Sequence, residues 1–453
     1  RNQIGMDTAR AASAEVKAML QGAGNPTVDV RINMKQIVQL YGPTMQFMIQ
    51  QMTSSMSQGA TPGATPGQPD MQSAKKMVEA QMRALMAIAQ QIDKVNAILS
   101  FNAEGASFEK TITPTAGSDL AKLAAAPTVP GDTLAPLVPQ SGAIRGFVMF
   151  NGQALGALLR NAIAAVTAQM TIDPAALAAI NELFTSMDAL QGEGFSALMP
   201  GEKVGSGIAL YKTDSPEAAQ QMLASWLNIF KADAVKNFYA SMGMPVTITV
   251  TDKARDYAGT PIAQMTVDMP ETQGIPPGTF PMNYEMAAVN DMVVLAMGST
   301  SLDKQIDFIK ATDRVSAPLR AQSVMPAGGD AYIDVSAGDL VAMIEQYAQA
   351  AGQTQMPKVG QALQGAQPIT ISADMAGDTI RGRMLVPADV VNKIVQAAQN
   401  QGAAAAPMAP TTPEAPAPTA VAPTPAAATP MAPQMTPAAP AMTPMAPPPT
   451  PAQ

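Results

Sequence analysis

Met45, Met48, Met52 and Met56 recur every three or four residues, the spacing that puts side chains on one face of a helix. Met71, Met77, Met82 and Met86 do nearly the same farther along. Three chemistries suit such stripes. Thioethers fill irregular apolar gaps and give a pliable core. The same pliability suits a groove for an acyl chain or an apolar partner helix. Sulfur also selects soft metals such as Cu(I), here with no His or Cys to support it. The candidate surface for an apolar ligand or partner is therefore Met45, Met48, Met52, Met77, Met82 and Met86.

Carboxylates can act in pairs across a glycosidic bond. Asp252, Asp256 and Asp291 fall at expected turns, and Glu104 and Asp378 at hairpin tips. Turns recruit Asp for local backbone hydrogen bonds, so these read as structural. Residues 252–256 lack calcium-loop spacing. No Gly-rich stretch leads into Lys and Ser or Thr as a phosphate loop does. Lys203 reads as a solvated turn residue. Trp226 shares a helical apolar pattern with Met222, Leu227, Ile229 and Phe230 and reads as core. The chain contains no His and no Cys, which removes Ser-His-Asp and Cys-His triads, thiol redox chemistry and zinc held by those residues. This reading assigns no catalytic residue, no metal and no cofactor.

The elements that would position these groups occupy 453 residues, room for about three domains at roughly 150 residues each. Charged residues make up 14%, against about a quarter in an average chain, and the net charge is −8. No Lys or Arg run offers a track for phosphates, so nucleic acid is not an expected partner. No stretch reaches the roughly 18 consecutive apolar residues of a membrane span. The chain begins at Arg1, which suggests processing or truncation and leaves room for a signal peptide or lipid anchor upstream.

Three segments share one pattern. Residues 28–33, 146–151 and 331–336 alternate in polarity and end at Asn33, Asn151 and Ser336. Apolar residues follow four, seven and eight positions later, as in a strand that enters a capped helix directly. After each helix comes a hairpin and then another helix. The first hairpin is read over 98–101 and 108–112, after a helix over 71–95. The second is read over 194–199 and 205–211, the third over 369–373 and 380–385. The middle unit gains strands over 246–251 and 262–267, joined by an Asp-rich loop over 252–259. It also gains a hairpin turning at Asn290-Asp291. Ser301 is expected to cap a helix to Lys310.

The expected fold class is α+β: repeated strand–helix–hairpin–helix units, antiparallel sheets with helices packed on one face, and a disordered tail. The expected organisation is an N-terminal helix or linker over 1–25, a first unit with the Met-rich helical hairpin over 26–130, an extended second unit over 140–325, a third unit over 329–400, and the tail over 401–453. From Ala404 on, 16 of 50 residues are Pro and Glu414 is the sole charge, a composition with no core-forming pattern.

Residues 117–123 (Gly-Ser-Asp-Leu-Ala-Lys-Leu) and 293–299 (Val-Val-Leu-Ala-Met-Gly-Ser) carry a resemblance. With the repeated unit, the chain over about 26–400 resembles bacterial extracytoplasmic proteins of unknown function that duplicate a strand–helix–hairpin unit. The resemblance implies a periplasmic, secreted or surface-anchored location and assigns no site residue. The leading expectation is a non-enzymatic binding or structural protein of a bacterial cell envelope. Its partner would be an envelope component or a second copy of itself. The alternatives are a carrier or sensor for a lipid or other apolar ligand using the Met-rich helices, and a carboxylate-based enzyme.

Overall fold

A computed structural model describes residues 27–36, 85–130, 133–167, 174–197, 206–241, 246–269, 282–298, 301–312, 318–350 and 359–404. Most of the Met-rich hairpin, the insert at 59–70, the 1–25 stretch and the tail from 405 onward lie outside the described residues.

The described chain is a mixed α+β fold around one antiparallel sheet of thirteen strands. The strands are β1 (Thr27–Asn33), β2 (Ile92–Asn102), β3 (Gly105–Pro114), β4 (Ile144–Met149), β5 (Leu190–Ala197), β6 (Gly207–Thr213), β7 (Thr247–Tyr257), β8 (Thr260–Asp268), β9 (Met282–Val289), β10 (Met292–Met297), β11 (Ala331–Val335), β12 (Ile369–Ala376) and β13 (Thr379–Pro387). Their order is β1-β2-β3-β13-β12-β11-β4-β5-β6-β10-β9-β8-β7. The helices are α1 (Asp119–Ala125), α2 (Gly152–Thr167), α3 (Pro174–Ser186), α4 (Pro216–Lys231), α5 (Asp233–Ser241), α6 (Leu302–Lys310), α7 (Arg320–Val324), α8 (Ala337–Ala350), α9 (Val359–Leu363) and α10 (Ala388–Ala404).

Local chemistry sets the junctions. Asn33 ends β1, and its Oδ1 accepts from Gln36 N at 3.0 Å. Asn151 stands between β4 and α2, with Oδ1 accepting from Ala154 N at 3.0 Å. Ser336 stands between β11 and α8, but its hydroxyl turns to Asp339 Oδ2 at 2.7 Å. Ser301 precedes α6 and makes no side-chain capping bond. At the β2–β3 turn Asn102 Oδ1 accepts from Glu104 N and Gly105 N. Gly105 has φ +142°, and a Cβ there would run into the backbone of Val386 and Pro387, so glycine alone fits.

Several element boundaries differ from expectation, those of β2 and β7 among them. β2 begins at Ile92, so the helical pattern expected to run to Val95 stops at residue 89. Ile88, Ile92 and Val95 fit a helix by spacing, but Val95, Ala97 and Leu99 fit a strand. Pairing with Ile112, Lys110 and Phe108 decides for the strand. The expected loop over 252–259 is mostly strand. β7 continues to Tyr257 across a register shift between Thr251 and Arg255, and the turn is only Ala258-Gly259.

Side chains alternate between the two faces of the sheet. On one face, Leu120 and Leu123 of α1 and Leu158 of α2 pack on Ile92, Ile112, Met375 and Ile380. Farther along that face, Ala219, Met222 and Trp226 of α4 pack with Val293. Leu227 packs with Ile248, Ala263, Met265 and Met286. The other face divides in two. Over β4–β6 and β8–β11 it is apolar: Phe147, Leu210, Val294, Ala287, Ile262 and Tyr332 lie beneath Leu134, Leu137 and Val138, Leu302, Ile306 and Ile309 of α6, and Leu319. Over β2, β3, β13 and β12 it carries Asn96, Ser100, Ser107, Glu109, Thr111, Arg383, Arg381, Ser372 and Asp374, with Ile98 and Leu385 among them.

Candidate functional site

Among the described residues, the apolar cover of the second face ends over β12, and a cleft lies at that step. Asp334 on β11 fixes the last piece of the cover. Its carboxylate is 2% exposed and accepts from the backbone N of Arg320 (2.7 Å) and Ala321 (2.8 Å), the first residues of α7. Arg145 Nη2 completes the pair at 3.2 Å. A buried carboxylate is tolerable only with such partners.

The turn after α7, residues 325–330, is pinned from several sides. Tyr332 packs its ring on Phe147 with centroids 5.7 Å apart. Its hydroxyl donates to the Pro326 carbonyl and accepts from Gly329 N at 3.0 Å. Buried Asp330 accepts from the Thr128 hydroxyl at 2.8 Å and from Met375 N at 2.6 Å. Gly328 has φ +81°, the left-handed region that favours glycine.

Between this turn and the strands is a cavity of about 250 Å³, lined by Pro326, Gly329, Ser372, Asp374, Arg381 and Arg383 among others. Register explains the polar wall. Ser372 lies opposite Arg383 and Asp374 opposite Arg381, so all four project from one face of the β12–β13 hairpin. Arg383 is held by Glu109 of β3, with Nε–Oε1 at 3.3 Å. Among the described residues, neither Arg381 nor Asp374 has an ion-pair partner, although they face each other across the strands. The wall thus offers an uncommitted guanidinium fork and an uncommitted carboxylate side by side. A guanidinium fork matches a carboxylate bidentately, and a carboxylate accepts from an ammonium or hydroxyl.

A second cluster lies on the helix-covered face. Glu193 of β5 lies opposite Tyr211 of β6. Burial pushes the Glu193 carboxyl above its ordinary range, and the hydrogen bond from Tyr211 opposes that shift. Burial, and then the Glu193 charge, raise the Tyr211 phenol as well. Trp226 meets Tyr211 edge-on with centroids 5.0 Å apart and donates from Nε1 to Ser186 Oγ at 3.0 Å. Trp226 is buried there with Leu190, Ala219, Met222 and Val293.

Met45, Met48, Met52, Met77 and Met82 lie outside the described residues. Met86 is half-buried in the helical stretch 85–89, between exposed Leu85 and Ile88. The turn carboxylates are spread apart. Asp252 pairs with Lys231 and Asp291 with Lys212. Asp256 accepts from Gly259 N at 3.1 Å. The cleft residues were missed by motif reading. A signal existed: Ser372 and Asp374, then Arg381 and Arg383, alternate on the two sides of the Gly377-Asp378 turn, which puts all four on one hairpin face. Compared with protein-family models, curated proteins and solved structures, the chain matches none.

Proposed function

We propose that this chain is a non-enzymatic binding protein of a bacterial cell envelope, working outside the cytoplasm. In this reading its cleft takes a small ligand with a carboxylate beside an ammonium or hydroxyl. The observation that carries the reading is the Arg381–Asp374 wall: opposite charges adjacent in register, yet among the described residues in no ion pair. A zwitterion of amino-acid to dipeptide size bridges them, carboxylate to Arg381 and ammonium to Asp374. A net charge of −8 disfavours long polyanions and favours such a small, balanced ligand. The wall pairs Ser372 with no histidine base, which supports binding over hydrolysis.

The strand order supports a chain built from copies of one unit. A strand, its helices and a hairpin pair in the same sequence in β1-β2-β3, β4-β5-β6 and β11-β12-β13. A second reading, an apolar carrier at the Met-rich helices, draws support from Leu85, 61% exposed, beside Met86.

Thermal-shift titration with dialanine, and with acetate and ethylamine as half-ligands, tests the cleft. Stabilisation by dialanine exceeding that by either half-ligand is expected. No response to dialanine, or an equal response to acetate, would refute the zwitterion reading.

A further inference from the structure

Among the described residues the sheet has two edges, β1 and β7, and they are built differently. β7 breaks register between Thr251 and Arg255 and projects exposed Asp252 and Lys253 there. Irregularity and charge of this kind blunt an edge. β1 stays in unbroken register with β2 from Thr27 to Asn33. Among the described residues no strand pairs with its outer side, which over 28–32 offers a regular row of backbone donors and acceptors. Val28 and Val30, 54% and 45% exposed, share one face of the strand. Asp29 and Arg31 share the other and pair with each other at 2.9 Å.

Residues 28–32 read Val-Asp-Val-Arg-Ile. Reversed about Val30, this run complements itself. Antiparallel pairing of two copies centred there sets Val30 against Val30 and Val28 against Ile32. It also sets Asp29 against Arg31 twice, where opposite charges attract across strands. The chain already contains a joint of this type. β4 and β11, each the strand before a helix junction, pair antiparallel with Phe147 opposite Tyr332. Each of these lies four residues before its junction residue, Asn151 or Ser336. The equivalent register in β1 would set Asp29 against Asp29, so a shift of one position to Val30 replaces repulsion with two attractions.

We propose that β1 is a self-pairing edge that joins two copies of this chain, with Val30 on the two-fold axis. The inference rests on the edge strand alone and not on the cleft. Sedimentation of the full chain tests it. The native protein dimerises reversibly. Asp29→Arg or Arg31→Asp weakens the dimer roughly tenfold or more, because two attractive pairs become two repulsive ones. Combining the two reversals restores it, which separates a lost contact from a misfolded chain. The sequence holds no cysteine, so Val30→Cys supplies the sole thiol. Mild oxidation cross-links that variant across the axis. Val28→Cys, about 13 Å from its own copy in this register, stays uncross-linked. A native chain that stays monomeric, or Val28→Cys cross-linking as fast as Val30→Cys, overturns the proposal.

Discussion

The sheet behaves differently on the two sides of the β11–β12 boundary. From β4 to β10 it is buried on both faces: Phe147, Leu210 and Val294 face one apolar layer, Val293 and Met286 another. Across β2, β3, β13 and β12 one face packs on α1 and α2, while the alternate residues of the other include Ser107, Glu109, Thr111, Arg381 and Arg383. The backbone ladder is continuous through both regions. The difference lies in the alternate residues of each strand, which decide whether a second layer can settle. Apolar alternates recruit the 133–138 segment and α6. Among the described residues, no second layer settles on the polar alternates, four of which line the cleft. The cleft sits where the two regimes meet, with a rigid turn on one side and charged strands on the other.

The largest test of this contrast is paired truncation on the same face. Phe147→Ala, fully buried, should lose about 3–5 kcal/mol in urea unfolding. Thr111→Ala, on the polar half, should change stability by no more than about 0.5 kcal/mol. Comparable losses at both positions would erase the distinction. A middle-sized effect comes from Asn151, whose side chain caps α2, the helix that brings Leu158 onto the polar half's packed face. Asn151→Ala should cost about 1 kcal/mol by the same assay, and Asn151→Ser much less.

The smallest effect is read against pH. Burial raises the Glu193 carboxyl above its unfolded value, so the folded chain holds this proton more tightly than the unfolded chain does. The associated stability is fully present below the ordinary carboxyl range and is lost as pH rises through the raised value. Glu193→Gln should therefore match the native protein in acid and exceed it at neutral pH. An equal gain at every pH would show that the carboxyl does not ionise within the range tested.

Much of this was legible in local sequence. The junctions at Asn33, Asn151 and Ser336 follow from side chains that bond their own neighbourhood, and the turn at Asn290-Asp291 from the left-handed backbone that Asn290 tolerates. What decides the sheet is non-local. β3 pairs with β13, and β4 with β11, across stretches of chain that leave no mark on either strand's periodicity. The start of β2 was read as helix for the same reason, since Ile92 and Val95 suit either element until β3 arrives. The alternation of Ser372, Asp374, Arg381 and Arg383 was visible. Its meaning was not, because the opposite wall comes from the 325–330 turn, held by Tyr332 and Asp330.

The central claim is that the uncommitted pair Arg381 and Asp374 binds a small zwitterion. Calorimetric titration of dialanine into the native protein and into Arg381→Gln tests it most directly, with Thr111→Ala as a control on the same face. The account predicts saturable binding to the native chain and to Thr111→Ala, and its loss in Arg381→Gln with the fold intact. Binding that persists unchanged in Arg381→Gln would contradict it.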